Sequence, residues 1–230
     1  MNNFLDNIPT LPLAPWVESA MDWLTSNFSA FFDVIQKYGK LLMNQVTDLL
    51  ISIPAIILIL LIVILAFFSV RKKFGLARFT LIGLLFIYNQ GLWDHLMETT
   101  TLVLFSSVIS IIIGIPLGIL MSKSNIAENI IKPILDFMQT MPGFVYLIPA
   151  VAFFGIGIVP GVFASVIFAL PPTVRMTNLG IRQVPKELVE AADSYGSTAG
   201  QKLFKVEIPL AKSTIMAGIN QTVMLSLSMV

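Results

Sequence analysis

The sequence predicts an all-helical protein that crosses a membrane several times. Of its 230 residues, 56% are hydrophobic and 12% are charged, about half the charged fraction of an ordinary soluble domain. Apolar runs of spanning length follow one another along the chain. Basic residues gather at the ends of those runs instead of forming a stripe, and a net charge of +1 leaves no footprint for nucleic acid. There is no cysteine, which excludes disulfides, thiolate nucleophiles and Cys-based metal sites. No cleavable signal peptide is visible, because the first apolar run of spanning length begins near Leu49 and not behind a basic N-terminal stub.

At the N-terminus, Val17, Met21, Leu24, Phe28, Phe31, Ile35, Tyr38 and Leu42 are spaced alternately four and three residues apart, the stripe of a helix. Asp22, Asp33, Lys37 and Lys40 fall off the stripe, and Trp16 and Trp23 are of the type that prefers the headgroup region. An amphipathic helix on the outer membrane surface is expected; a packing seam against another subunit is the alternative. Gly39 is expected to break the helix near its end.

Residues 49–70 carry no charge over 22 positions, about 33 Å as a helix, which is enough to cross the hydrocarbon core. Further apolar runs cover residues 76–93, 100–121, 130–154, which prolines interrupt, and 159–170, and a sixth begins at Pro209 and is still apolar at Val230. Three units result: an N-terminal amphipathic surface segment (1–47), two N-terminal spans (48–93), and a core (94–230) with a cytoplasmic loop at 178–208.

Lys and Arg mark the cytoplasmic side of membrane proteins. Arg71, Lys72, Lys73 and Arg78 follow the first span, Lys123 and Lys132 the third, and Arg175, Arg182, Lys186, Lys202, Lys205 and Lys212 the fifth. The connections at 94–99 and 155–160 contain none. That alternation requires the N-terminus outside and the polar segment 175–212 inside.

Enzymatic chemistry finds no footing. His95 is the single histidine, in an expected external loop beside Asp94 and Glu98, and nothing completes a zinc site around it. Gly155, Gly157 and Gly161 lack the Lys-Ser/Thr of a phosphate loop. Gly114 and Gly118 form a small-xxx-small pair around Pro116 and read as helix packing. The run from Met141 and Pro142 through Tyr146 to Pro149 puts helix breakers at membrane depth, where freed carbonyls must be buried in protein or face a water-filled cavity; pathway lining and a structural kink both fit. Asn220 and Gln221, polar in an otherwise apolar helix, are expected against a neighbouring helix or the pathway. Trp93, Tyr146, Phe153 and Phe154 could offer aromatic faces to a cation, or serve as packing.

The informative segment is 183–196. Pro185 suits a first helical turn, Glu187 the positive end of the dipole, and Gly196 the left-handed residue that ends a helix. Leu188, Ala191, Ala192 and Tyr195 share one face. Such a face, held between spans where no lipid covers it, suits a partner's groove; packing on its own membrane domain is the alternative.

At these residues the sequence resembles the permeases of binding-protein-dependent ABC importers. Their signature is Glu-Ala-Ala, three residues, Gly, nine residues, then Ile-x-Leu-Pro. Here Glu190, Ala191 and Ala192 precede Gly196 by that interval, and Val206, Glu207, Ile208 and Pro209 follow at the stated distance. Residues 136–142, 144–146, 168–172 and 220–222 are similar to the glycine betaine and proline betaine branch.

The resemblance implies a type I importer fold in the bacterial cell membrane. It implies a dimer of permeases, and a separate ATP-binding subunit that carries the ATP and Mg, with no cofactor on this chain. It also implies a binding protein, or a fused binding domain, that delivers solute. Glu190, Ala191, Ala192, Gly196, Leu188, Tyr195 and Pro209 would couple to the ATPase; Met141, Pro142, Tyr146, Asn220 and Gln221 would line the pathway. Family members run on well beyond the motif, so the sequence is expected to be C-terminally incomplete. Permeases for proline, carnitine, choline or an amino acid share the loop motif. A channel or membrane scaffold is the alternative from another class, and would not need the loop helix.

Overall fold

The computed structural model describes residues 13–69 and 74–229. The first twelve residues, Val70, the basic cluster Arg71, Lys72 and Lys73, and Val230 lie outside the described residues. Among the described residues every regular element is helical: α1 (Leu13–Asn27), α2 (Ser29–Ser52), α3 (Ala55–Ser69), α4 (Phe74–Asn89), α5 (Trp93–Lys123), α6 (Asn125–Thr140), α7 (Gly143–Phe154), α8 (Ile158–Arg182), α9 (Lys186–Ser194), α10 (Ala199–Lys202) and α11 (Ile208–Ser228). One wide π turn, Leu203–Glu207, joins α10 to α11.

α5 and α8 are long and apolar enough to cross a membrane alone. They approach closely because small residues meet along the seam. A Cβ on Gly114 would sit 2.8 Å from Thr173 Cγ2, and one on Gly118 would sit 2.5 Å from Thr177 Cβ. α11 closes on the other side of α8, where a Cβ on Gly218 would meet Met176 Cβ at 2.6 Å. α11 is of spanning length but, with Lys212, Asn220, Gln221 and its hydroxyl residues, it is too polar to pass as a span on composition. Its buried Thr222 finds partners on α8, donating to the Ala169 carbonyl at 2.8 Å and lying 2.7 Å from the Thr173 hydroxyl. That satisfaction lets a helix poorer in apolar residues join the core.

The expected first span is broken. α2 runs through residue 49 to Ser52, and the chain bends by 91° before α3, because Pro54 cannot continue the helix. α3 is then 15 residues, about 22 Å, and pairs with α4; Ile59 of α3 is buried with Trp93 and Met97 at the start of α5. The boundary drawn at residue 47 falls inside α2. Gly39 does not end this helix either: α2 runs through it to Ser52, and its backbone lies against Val159, 3.6 Å from where a Cβ would stand. Two further boundaries move. α8 continues through Pro171 and Pro172 to Arg182, so Arg175 belongs to that helix, and Lys212 belongs to α11. The expected external loop 94–99 is the first part of α5.

α2 crosses one end of the bundle. Phe32 stacks on Phe153 at 4.7 Å, Met43 is buried with Phe154, Val159 and Val162, and Thr47 donates to Thr101 at 2.9 Å. The packed face is therefore 32, 39, 43 and 47. The stripe read from the sequence lies beside it, and Val17, Phe28, Phe31, Ile35, Tyr38 and Leu42 stay exposed.

Candidate functional site

The candidate residues gather at the Arg182 end of the bundle and on the face above it. Arg182 ties three helices together: Nε donates to Asn178 Oδ1 at 3.0 Å, and Nη2 donates to the Met121 carbonyl at 2.9 Å and to Asn125 Oδ1 at 3.0 Å. It also pairs with Glu128 at 2.9 Å. Beside this fork, Lys123 at the end of α5 pairs with Glu207, which is only 4% exposed. In the π turn the Ile208 N–H reaches back five residues to the Leu203 carbonyl, a widened geometry often found at functional sites. Pro209 follows it, exposed, in the first turn of α11.

α9 projects from this collar. Pro185 precedes it in extended conformation, with Leu188 N–H donating to the Pro185 carbonyl at 3.1 Å. Gly196 has φ +76 and closes the helix, and the Ser197 N–H donates to the Ala192 carbonyl at 3.1 Å. Asp193 accepts from Lys202 Nζ at 2.7 Å, and Thr198 and Gln201 form a capping box that starts α10. The loop is thus held by its own contacts. Val189 packs toward the cluster of Ile181, Val184, Ala211 and Ile215. The other side is bare: Leu188 is 45% and Tyr195 91% exposed, with Ala191 and Glu190 exposed between them and Ala192 half-buried.

The residues expected to line a pathway separate into two groups. Met141 and Pro142 form the break between α6 and α7, a bend of 100°. Tyr146 is buried, and its hydroxyl donates to the Met138 carbonyl at 2.6 Å; it braces the break and does not face an open space. Gln221 does face one: it lines a cavity of about 290 Å³ with Gln139, Pro172, Arg175, Met176 and Leu225. Asn220 is exposed one position away. Trp93 and Phe154 are buried and Phe153 is stacked on Phe32, so these aromatics pack. His95 stands exposed on α5, 3.4 Å from Glu98.

Six charges were read from the sequence as topology marks or left unassigned, and the structure pairs them: Lys123 with Glu207, Arg182 with Glu128, and Arg175 with Asp136. A signal was present in the spacing. Glu128 and Asp136 stand eight apart on α6, and Arg175 and Arg182 seven apart on α8, two helical turns in each case.

Residues 110–229 match the family described as binding-protein-dependent transport system inner membrane component. Over 228 residues the chain is 59% identical to the glycine betaine/carnitine transport permease protein of Listeria monocytogenes serotype 1/2a (strain 10403S), covering 98% of this chain and 80% of that one. It is 51% identical to the glycine betaine transport system permease protein of Bacillus subtilis (strain 168), covering 98% and 79%. The glycine betaine/proline betaine transport system permease protein of Escherichia coli (strain K12) is 46% identical, with 96% of this chain and 62% of that protein aligned.

Proposed function

Because the chain belongs to the family of binding-protein-dependent transport system inner membrane components, a family of multi-pass inner membrane proteins, we propose that it is the permease subunit of an ATP-driven importer for glycine betaine. The observation that carries this reading is the similarity, along 98% of the chain, to a permease named for glycine betaine and carnitine. ATP is bound and hydrolysed, with Mg, on a separate subunit. α9 seats in a groove of that subunit through Leu188, Ala191 and Tyr195, with Glu190, Ala192, Gly196 and Pro209 shaping the loop. The uncovered apolar face at the end of a tightly tied loop supports this assignment.

A binding protein or fused binding domain delivers solute on the opposite side, and two permease copies pair. The N-terminus lies outside: Lys123, Arg182, Lys186, Lys202 and Lys205 gather at the end away from α2, which supports that orientation. α1 and α2 lie on the outer surface with their exposed stripe toward lipid. Residues 94–230 form the transporting core, residues 48–93 add the apolar hairpin of α3 and α4, and Met141, Pro142, Asn220 and Gln221 belong to the pathway wall.

The test is uptake. Proteoliposomes holding the permease, its ATPase and the binding protein should accumulate labelled glycine betaine only with ATP inside, and carnitine, proline and choline rank the specificity. Equilibration of the solute across the membrane without ATP would instead support a channel.

A further inference from the structure

Arg175 lies seven residues, about 10 Å, in from the Arg182 end of α8, and its guanidinium pairs with Asp136 of α6. Next to Asp136, Leu135 is buried against Met121 and Val174. Despite this depth the pair is not sealed, for the side chains keep 39% and 54% of their surface. Charges so placed are costly against hydrocarbon and belong on water or on another protein surface.

Two cavities meet here. The space of about 290 Å³ that holds Gln139 and Gln221 and a second of about 380 Å³ that reaches Glu128, Lys132, Asn178 and Arg182 share Arg175 and Met176. Together they make a partly polar track from the Arg182 collar into the bundle, with Arg175 at its waist and Asp136 paired to it from α6. Arg175 Nε is buried and makes no hydrogen bond among the described residues, so the guanidinium holds a donor in reserve.

We propose that Arg175 and Asp136 are a separable charge pair that receives a small zwitterion in transit, Arg175 taking its carboxylate and Asp136 facing its cationic end. The inference rests on the importer reading above. With the site empty, the two charges satisfy one another. A zwitterion brings one charge of each sign, so it can part the pair without leaving either charge alone and without changing the net charge of the site. A simple cation or anion cannot, because it leaves Arg175 or Asp136 without a counter-charge. Gln139 and Gln221, donors and acceptors at once, supply hydrogen bonds along the wall while the pair is open.

The test is the neutral pair Asp136→Asn with Arg175→Gln, in the complete transporter in proteoliposomes. Two facing amides keep a hydrogen bond between α6 and α8, so a purely structural pair would be replaced. The expected result is a complex that co-purifies with its ATPase while glycine betaine uptake falls at least tenfold. Uptake near the wild-type rate would overturn the inference. If the neutral pair does not assemble, Gln221→Leu decides, since it leaves the ion pair in place: a threefold or larger fall supports the proposal and unchanged uptake overturns it. Wild-type vesicles run in parallel separate the two readings. Wild-type protein without ATP-dependent uptake would sink the importer reading together with this one, whereas wild-type uptake with an unaffected variant would sink this one alone.

Discussion

The hydroxyl of Tyr146 donates to the carbonyl of Met138 at 2.6 Å, in the place of a backbone donor that Pro142 does not have. In an unbroken helix, residue 142 would supply the N–H for residue 138. The sequence spends a proline to turn the chain by 100°, and one turn later a phenol satisfies the carbonyl so freed.

Tyr146→Phe should therefore destabilise the protein by about 1 to 2 kcal/mol, the cost of a buried carbonyl left without a donor. Denaturation midpoints of the purified protein in detergent measure it. An unchanged midpoint would mean that the Met138 carbonyl has found another partner.

Lys123 and Glu207 should respond unequally to truncation. The Glu207 side chain is 6% exposed and that of Lys123 42%, so Lys123→Ala strands a buried carboxylate while Glu207→Ala releases an amine that can turn to water. We expect about 3 kcal/mol for the first and about 1 for the second. Adding Glu207→Gln to Lys123→Ala should recover much of the loss, and equal costs for the two single variants would refute the asymmetry.

Gly196→Val tests the seating of α9. A β-branched residue at φ +76 pays about 1 to 2 kcal/mol to keep that backbone, and the helix end should swing out. Membrane insertion should persist while ATPase association weakens and uptake is lost. Normal uptake with normal association would count against docking through this loop.

Orientation is open to labelling because the chain has no native cysteine. His95→Cys should react with an impermeant thiol reagent in intact cells, and Lys186→Cys only after the membrane is opened. Equal labelling of both from outside would reverse the topology.

Much of this was legible beforehand where the signal is local. The Gly196 turn, the short helix after Pro185 and the Gly114 and Gly118 seam follow from backbone preference and spacing. Pro54 misled, because a run of 22 uncharged residues looks continuous to a composition count although proline and its predecessor resist the helix. Glu207 was hidden inside the variable position of a motif, and its partner Lys123 lies 84 residues away. Such pairing is set by how α5 meets α11, which no window along the chain contains. Gln221 was singled out by its polarity, but Arg175 in the same cavity reads from sequence as a mark of sidedness, a role that long basic side chains near helix ends also fill, and Asp136 stands out only within the stretch 136–142 that resembles betaine permeases.

The α5 and α8 seam also sets which changes the chain can accumulate. At Gly114 and Gly118 even a methyl group lands inside 3 Å of Thr173 or Thr177, and since every other residue is larger than glycine, no mild replacement exists at either site. At Gly114 a smaller residue in place of Thr173 could make room, but at Gly118 an added Cβ would also lie 2.7 Å from the Val174 carbonyl oxygen, which no side-chain change removes. Gly75 and Gly83 on α4 have nothing within 4 Å of an added Cβ, and alanine at each should strengthen the helix by about 1 kcal/mol. Drift in this protein is therefore channelled into the α3 and α4 hairpin, while the glycines of the central seam change in concert with their neighbours or not at all.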